Sequence, residues 1–325
     1  MINSLFDKAN ELISAASNIA ITTHINTDGD AVGSSLGLYN YLKDIGKNVD
    51  IFIDSIIPEN LITLPGVEEI NNKKYRDYDL LICLDSADEF RLGKNRELLH
   101  EYELKSLQFD HHEVNSSYCK YNIVEVISST CELLSNFLLY IDAAINPVIA
   151  RCLVTGIYTD TGKLGFPSVT PKTFNTVARL LEESGMSIDE VTYPLYNSVT
   201  KKEFEVRKMG YSRVEFFENE TVAIVALSYE DIAKLDLELF MTKSLVDLAL
   251  PLKTIKAVVL MTEFTPNTVF CSIRTKGDVS AKRLAALYGG NGHPNAAGCK
   301  IRRCIFEAEK KIMAENAIRL VRGTL

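Results

Sequence analysis

Short apolar runs alternate with longer stretches of helical spacing through the first half of the chain. Asn18–Thr23 is apolar and β-branched and predicts a buried strand running into His24. From Asp30 to Ile45 the apolar residues Val32, Leu36, Leu38, Tyr41, Leu42 and Ile45 recur with helical period, and Gly46 supplies a stop. Val49–Ile53, Asp79–Leu84 and Leu107–Phe109 predict further strands, the last two ending at Asp85 and Asp110. Ser128–Ile141 and Pro147–Tyr158 have helical spacing, the second leading to Asp160. Strands alternating with helices predict an open parallel sheet with helices on both faces. His24, Asp85 and Asp110 then fall just past strand ends, where such sheets build their sites. Residues far apart in sequence are therefore expected to converge at one sheet edge.

Pro171–Glu183 and Ile188 to about Arg213 look helical and increasingly charged. A new pattern begins at Val214. Thr221–Leu227, Ala257–Thr262 and Thr268–Arg274 are strand-like, and Ser280–Tyr288 and Phe306–Arg322 are helix-like. The expected organisation is an α/β domain over 1–186, a helical linker over 187–213 and a smaller α/β domain over 214–325. No run of roughly 18 or more apolar residues predicts a membrane span. Met1–Glu11 carries Asp7, Lys8 and Glu11 and predicts the start of an amphipathic helix, not a secretory signal.

Charge sharpens this division. Residues 1–190 hold 15 Lys and Arg against 28 Asp and Glu, whereas 191–325 hold 20 against 15. An acidic half suits cations and a mildly basic half suits phosphates. The seven cysteines include no C-x-x-C pair, and several lie in apolar segments. They predict reduced, buried thiols in a cytoplasmic protein.

Four of the five histidines fall in three clusters: His24 with Asp28 and Asp30, Asp110-His111-His112, and Gly289-Gly290-Asn291-Gly292-His293. His24, Asp28 and Asp30 share one loop between strand and helix, and the helix starting there points its N-terminal dipole at the same place. Asp85, His111 and Asp160 complete a set of six N/O donors. That is too many for one catalytic ion and suits two ions sharing a carboxylate. Such ions, roughly 3.5–4 Å apart, lower the pKa of a shared water and clamp a phosphoryl group. Imidazole with carboxylate favours Mn²⁺ over Mg²⁺. No G-x-S-x-G elbow is present. The glycine cluster lacks G-K-[ST] and does not follow a strand as G-x-G-x-x-G, so it is neither a Walker loop nor a dinucleotide fingerprint. Its backbone N–H groups are expected to hold phosphate oxygens, with His293 adding a hydrogen bond. Arg274 shares a strand face with Ser272 and could fork onto a phosphate.

These clusters, in this order, resemble the DHH phosphoesterase superfamily, and the C-terminal glycine motif resembles the DHH-associated domain of its RecJ-like branch. Within it the chain is most similar to the stand-alone nanoRNase/pAp phosphatase group and to cyclic and linear dinucleotide phosphodiesterases. The resemblance spans nearly the whole chain. It implies that His24, Asp28 and Asp85 hold one ion, and that Asp30, Asp85, His111 and Asp160 hold the other. Asp85 then bridges. It further implies that His112 faces the scissile phosphate, that Asp110 supports it, and that Arg274 with Gly290, Asn291, Gly292 and His293 grips the substrate in a cleft between the domains. Thr27 stands where relatives often have proline, and Leu164 and Gly165 replace a phenylalanine and a polar residue.

The implied activity is metal-dependent hydrolysis of short oligoribonucleotides from the 5′ end, dinucleotides preferred, or of 3′-phosphoadenosine 5′-phosphate to AMP. Cyclic di-AMP or linear pApA and pGpG are the alternative substrates, and a non-catalytic nucleotide sensor is the alternative of another class. No stable protein partner and no membrane is implied, and the sequence is compatible with a homodimer.

Overall fold

The computed structural model describes residues 2–75 and 77–325, with no side-chain description for Phe240. Met1, the first residue of the predicted N-terminal helix, lies outside the described residues. The chain divides into two compact units, one ending at Ser198 and one spanning Val199–Leu325.

The first unit is a five-stranded parallel sheet. Its strands are β1 (Asn18–Thr23), β2 (Asn48–Phe52), β3 (Leu80–Leu84), β4 (Ser106–Asp110) and β5 (Tyr121–Val124), in spatial order β2-β1-β3-β4-β5. Its helices are α1 (Ile2–Ala15), α2 (Gly29–Asp44), α3 (Arg96–Glu101), α4 (Thr130–Tyr140), α5 (Pro147–Asp160) and α6 (Pro171–Ser184). One sheet face presents Ile19, Ile21, Ile82, Leu84, Leu107 and Phe109 to the main core, which α1, α2, α4 and α5 complete. The other presents Ala20, Leu81 and Cys83 to Tyr78, Leu92 and Leu99. Strands buried on both faces read as continuous apolar runs, which is why β1 and β3 were visible in the sequence. The strand order reverses between β1 and β3, so their carboxyl ends flank the crevice where open α/β sheets bind ligands.

Within the segment expected to link the domains, the chain forms α7 (Asp189–Thr192), a single π turn over Tyr193–Asn197, and α8 (Lys201–Ser212). The continuous helix expected from Ile188 is therefore broken. Pro194 lacks the N–H a helix needs, and Thr200 caps α8 by accepting from Glu203 N while Glu203 returns a bond to Thr200 N.

The second unit holds a six-stranded mixed sheet. Its strands are β6 (Val214–Phe217), β7 (Val222–Leu227), β8 (Ala257–Thr265), β9 (Thr268–Thr275), β10 (Asn291–Gly292) and β11 (Ala296–Arg302), in order β10-β11-β9-β8-β7-β6. Among the described residues of this unit, only β7 and β8 pair in parallel. Helices α9 (Tyr229–Leu235), α10 (Leu239–Thr242), α11 (Ala281–Ala286) and α12 (Phe306–Val321) complete it. Along β9, Val269, Cys271 and Ile273 enter the core built with α11 and α12, and Phe270, Ser272 and Arg274 take the opposite face.

Candidate metal centre

Each strand end delivers one part of the constellation. His24 follows β1 and is 2% exposed. Its Nδ1 faces the Ile25 carbonyl at 2.7 Å. A carbonyl only accepts, so Nδ1 carries the proton and Nε2 is left as a donor atom for a cation. Nε2 lies 3.4 Å from Asp85 Oδ2 and 3.8 Å from Asp28 Oδ1. His111, just after β4, repeats the device. Its Nδ1 faces the Ile127 carbonyl at 3.2 Å. Its Nε2 lies 3.5 Å from Asp85 Oδ1, 3.7 Å from Asp160 Oδ2 and 3.9 Å from Asp30 Oδ2. Asp85 thus turns one carboxylate oxygen to each imidazole. It does so from a left-handed backbone, φ 52°, a conformation that costs energy outside glycine and that the Asp85 N–H to Phe109 carbonyl bond helps to hold.

Three sets of donor atoms lie close enough to share an ion: His24-Asp28-Asp85, Asp30-His111-Asp160 and Asp85-His111-His112. All six residues expected as ligands come together in the first unit. Asp160 joins them as the last residue of α5, at the end of the helix expected to lead to it. Gly156, one turn earlier, lets α5 approach. A methyl there would meet Cys131 Sγ at 2.1 Å and Asp30 Oδ1 at 2.9 Å. Asp28 caps α2, its Oδ1 accepting from Asp30 N and Ala31 N at 3.1 Å each.

The sequence reading missed the support from α4. Asp30 is buried, and its two oxygens accept from the N–H groups of Thr130 at 2.7 Å and Cys131 at 2.9 Å, the first turn of that helix. The Thr130 hydroxyl donates to Asp85 Oδ1 at 3.0 Å. A signal was available: Ser129 with Glu132 three residues on is the capping pattern that marks a helix start.

The electrostatics call for cations. Burial, then the charges of Asp85 and Asp160, push the Asp30 carboxyl well above the ordinary carboxylate range. Burial, then Asp85 and Asp28 against the opposing His111, push Asp160 up to about 6. Burial opposes charge on His24, yet hydrogen bonds to Asp28 and Asp85 raise it to about 10. A proton is doing there what a metal would do better. The donor set therefore fits divalent metal: two imidazoles fixed by carbonyls and four carboxylates that repel one another.

Asp110 is the last residue of β4 and is fully buried. It accepts from His112 Nδ1 at 2.9 Å, His112 N at 3.2 Å and Asn115 Nδ2 at 2.5 Å. The Asp110 hydrogen bond raises the His112 pKa, and His112 in turn holds Asp110 low despite its burial. The pair fixes the ring and favours its charged form.

In the second unit, Arg274 pairs with Ala296 and Val258, and its Nε lies 3.8 Å from Asp247 Oδ1. The glycine cluster differs from expectation. Gly289, at φ 69°, ends α11: its N–H bonds the Ala286 carbonyl and that of Gly290 bonds the Ala285 carbonyl. The chain then forms the β10–β11 hairpin, with His293 N–H on the Ala296 carbonyl and Gly292 N–H on Asn291 Oδ1. These four N–H groups are occupied by the fold and are not free for phosphate. The side chains of Asn291 and His293 are exposed on the hairpin.

Imidazoles and carboxylates gather at the carboxyl edge of a parallel sheet, and residues 18–157 match the DHH family, N-terminal domain. The matched residues lie within the first unit. Over nearly the whole chain, the protein is 29% identical across 292 residues to the bifunctional oligoribonuclease and PAP phosphatase NrnA of Thermus thermophilus, covering 87% of this chain and 84% of that one. It is 26% identical across 298 residues to the protein of the same name in Bacillus subtilis, covering 89% and 91%. A solved structure of an exopolyphosphatase-related protein from Bacteroides fragilis superposes with TM-score 0.86 at 25% identity, covering 98% of both chains. No described helix is long and apolar enough to cross a membrane.

Proposed function

We propose that this protein is a divalent-metal-dependent phosphoesterase that hydrolyses short oligoribonucleotides to mononucleotides, dinucleotides first and from the 5′ end, and 3′-phosphoadenosine 5′-phosphate to AMP. The observation that carries the reading is Asp85, with one oxygen 3.4 Å from His24 Nε2 and the other 3.5 Å from His111 Nε2. One carboxylate shared by two imidazoles supports a two-ion site, with His24, Asp28 and Asp85 on one side and Asp30, Asp85, His111 and Asp160 on the other. Relatives named as oligoribonuclease and PAP phosphatase support the substrate class. We take the ions to be Mn²⁺, on the ligand chemistry.

Cations bound there supply a water of lowered pKa and neutralise phosphoryl charge. The chain does the rest. His24 and His111 present lone pairs because carbonyls hold their other nitrogens. His112, charged and oriented by Asp110, stabilises the developing charge on the phosphoryl oxygens and gives a proton to the leaving oxygen. Arg274, Asn291 and His293, with Gly290 and Gly292 shaping the hairpin, bind the substrate's phosphate. We assign catalysis to residues 1–186 and substrate binding to 214–325. Unpaired cysteines throughout support a reducing, cytoplasmic setting.

The test is one panel. The full chain with Mn²⁺ is given 5′-labelled oligomers of two to about ten nucleotides, 3′-phosphoadenosine 5′-phosphate, cyclic di-AMP and pyrophosphate. Turnover of the shortest oligomers is expected, and Asp85→Ala should lower it roughly 1000-fold, about 4 kcal/mol. Arg274→Ala should raise KM and leave metal affinity unchanged. Hydrolysis of pyrophosphate alone would overturn the substrate assignment.

A further inference from the structure

Cys271 on β9 and Cys299 on β11 are direct cross-strand partners in the antiparallel register. Partners of this kind stand about 4.5–5.5 Å apart at Cα, inside the roughly 4.4–6.8 Å window of a disulfide. The two thiols are close enough to shift each other's titration, and both are free. Cys271 is 4% exposed and belongs to the core under α11 and α12, and Cys299 is partly exposed beside it. The Cys271 thiol lowers the pKa of Cys299 against burial and the Glu309 carboxylate, while Cys271 itself is raised. A cavity of about 380 Å³ lies against the opposite face of these two strands, lined by Phe270, Ser272 and Lys300. The other close thiol pair, Cys83 with Cys119, is buried in the sheet core of the first unit.

We propose that Cys271 and Cys299 form an oxidant-sensitive pair that closes a reversible disulfide under hydrogen peroxide and thereby controls the glycine hairpin. The Cys299 thiolate attacks the peroxide O–O bond, giving Cys299 sulfenic acid and hydroxide. The Cys271 thiol then attacks the Cys299 sulfur. The S–O bond breaks, the S–S bond forms, and the hydroxyl leaves as water with the Cys271 proton. The cysteines lose two electrons and peroxide gains them. A disulfide draws the two Cβ atoms to about 3.8 Å. Gly290 rests directly on Cys299: a methyl on Gly290 would lie 2.6 Å from Cys299 Cβ and 2.2 Å from the Gly298 carbonyl oxygen. No slack exists between them, so displacement of Cys299 passes to Gly290 and on to Asn291 and His293. Arg274 lies on the same two-strand ladder, three partner pairs further along, opposite Ala296.

The functional half rests on the substrate role proposed for the second unit; the chemical half does not. The full chain is treated with sub-millimolar peroxide, alkylated and mapped by peptide mass spectrometry. The expected product is a Cys271–Cys299 linked peptide, lighter by two hydrogens, removed by dithiothreitol and missing in Cys299→Ser and Cys271→Ser. A linkage to Cys304, or Cys299 carried on to sulfonic acid beside free Cys271, overturns the pair. Oxidised protein should show a several-fold higher KM for the dinucleotide with kcat preserved, restored by dithiothreitol and insensitive to peroxide in Cys299→Ser. An unchanged KM in fully linked protein removes the control of the hairpin. If the panel finds no dinucleotide turnover, the mass map still decides the linkage.

Discussion

At the scale of single residues, the centre works by giving each ring nitrogen one job. In His24 and His111 the Nδ1 proton is committed to a carbonyl, which leaves Nε2 to the carboxylates. His112 is the opposite case: its Nδ1 meets the buried Asp110 carboxylate, and the pair favours the charged ring. A group whose pKa is raised by its partner keeps its proton below the raised value and loses it as pH climbs through it. Activity that depends on charged His112 should therefore fall on the alkaline side. Asp110→Asn removes the carboxylate, so that limb should move to lower pH, with kcat down about 10–100-fold. A pH–kcat profile checks this. An alkaline limb that stays in place would remove His112 as the charged group. The candidate ligands could be read from the sequence because His and Asp are few and clustered. The pairing of each oxygen with its neighbour could not, because it depends on rotamers set by packing.

At the scale of elements, parallel strands put His24, Asp85 and Asp110 at one edge, and their apolar runs made β1, β3 and β4 visible. What the runs could not reveal is that α4 braces the centre from outside those strands. Its first-turn N–H groups hold Asp30, and Thr130 holds Asp85. Thr130→Val keeps the backbone donor to Asp30 and deletes the hydroxyl donor to Asp85. Metal affinity should fall about 10-fold with the fold intact, read by titration calorimetry and thermal melting. Equal affinity would show that the hydroxyl does not orient Asp85. The short strands β5, β6 and β10 escaped notice for a plain reason. Four residues or fewer carry too little alternation to announce a strand, and β10 exists only because β11 pairs with it. The glycine cluster was read as an open loop, whereas hairpin pairing takes up its N–H groups.

At the scale of the whole molecule, the acidic first unit stores a charge problem that metal resolves. Without metal, Asp160 titrates at about 6, above the ~3.9 of an unfolded aspartate. His24 titrates at about 10, above the ~6.5 of an unfolded histidine. In both intervals the folded chain holds more protons than the unfolded one. Stability of the metal-free protein must then fall as pH rises through them. Bound cations replace those protons, so the rise in Tm on adding Mn²⁺ should be larger near pH 8 than near pH 5.5. Melting curves with and without chelator measure it, and a gain that shrinks with rising pH would count against a metal centre here. The sequence by itself determined the α/β class, the division into an acidic and a more basic part, and the identity of the donors. Strand periodicity, net charge and side-chain chemistry are local properties and survive in a linear string. Only the tertiary structure decided that Asp85 stands between two imidazoles, that α4 braces Asp30, and that Cys271 faces Cys299. Those relations depend on strand order, register and close packing, which bring together atoms that the chain keeps far apart.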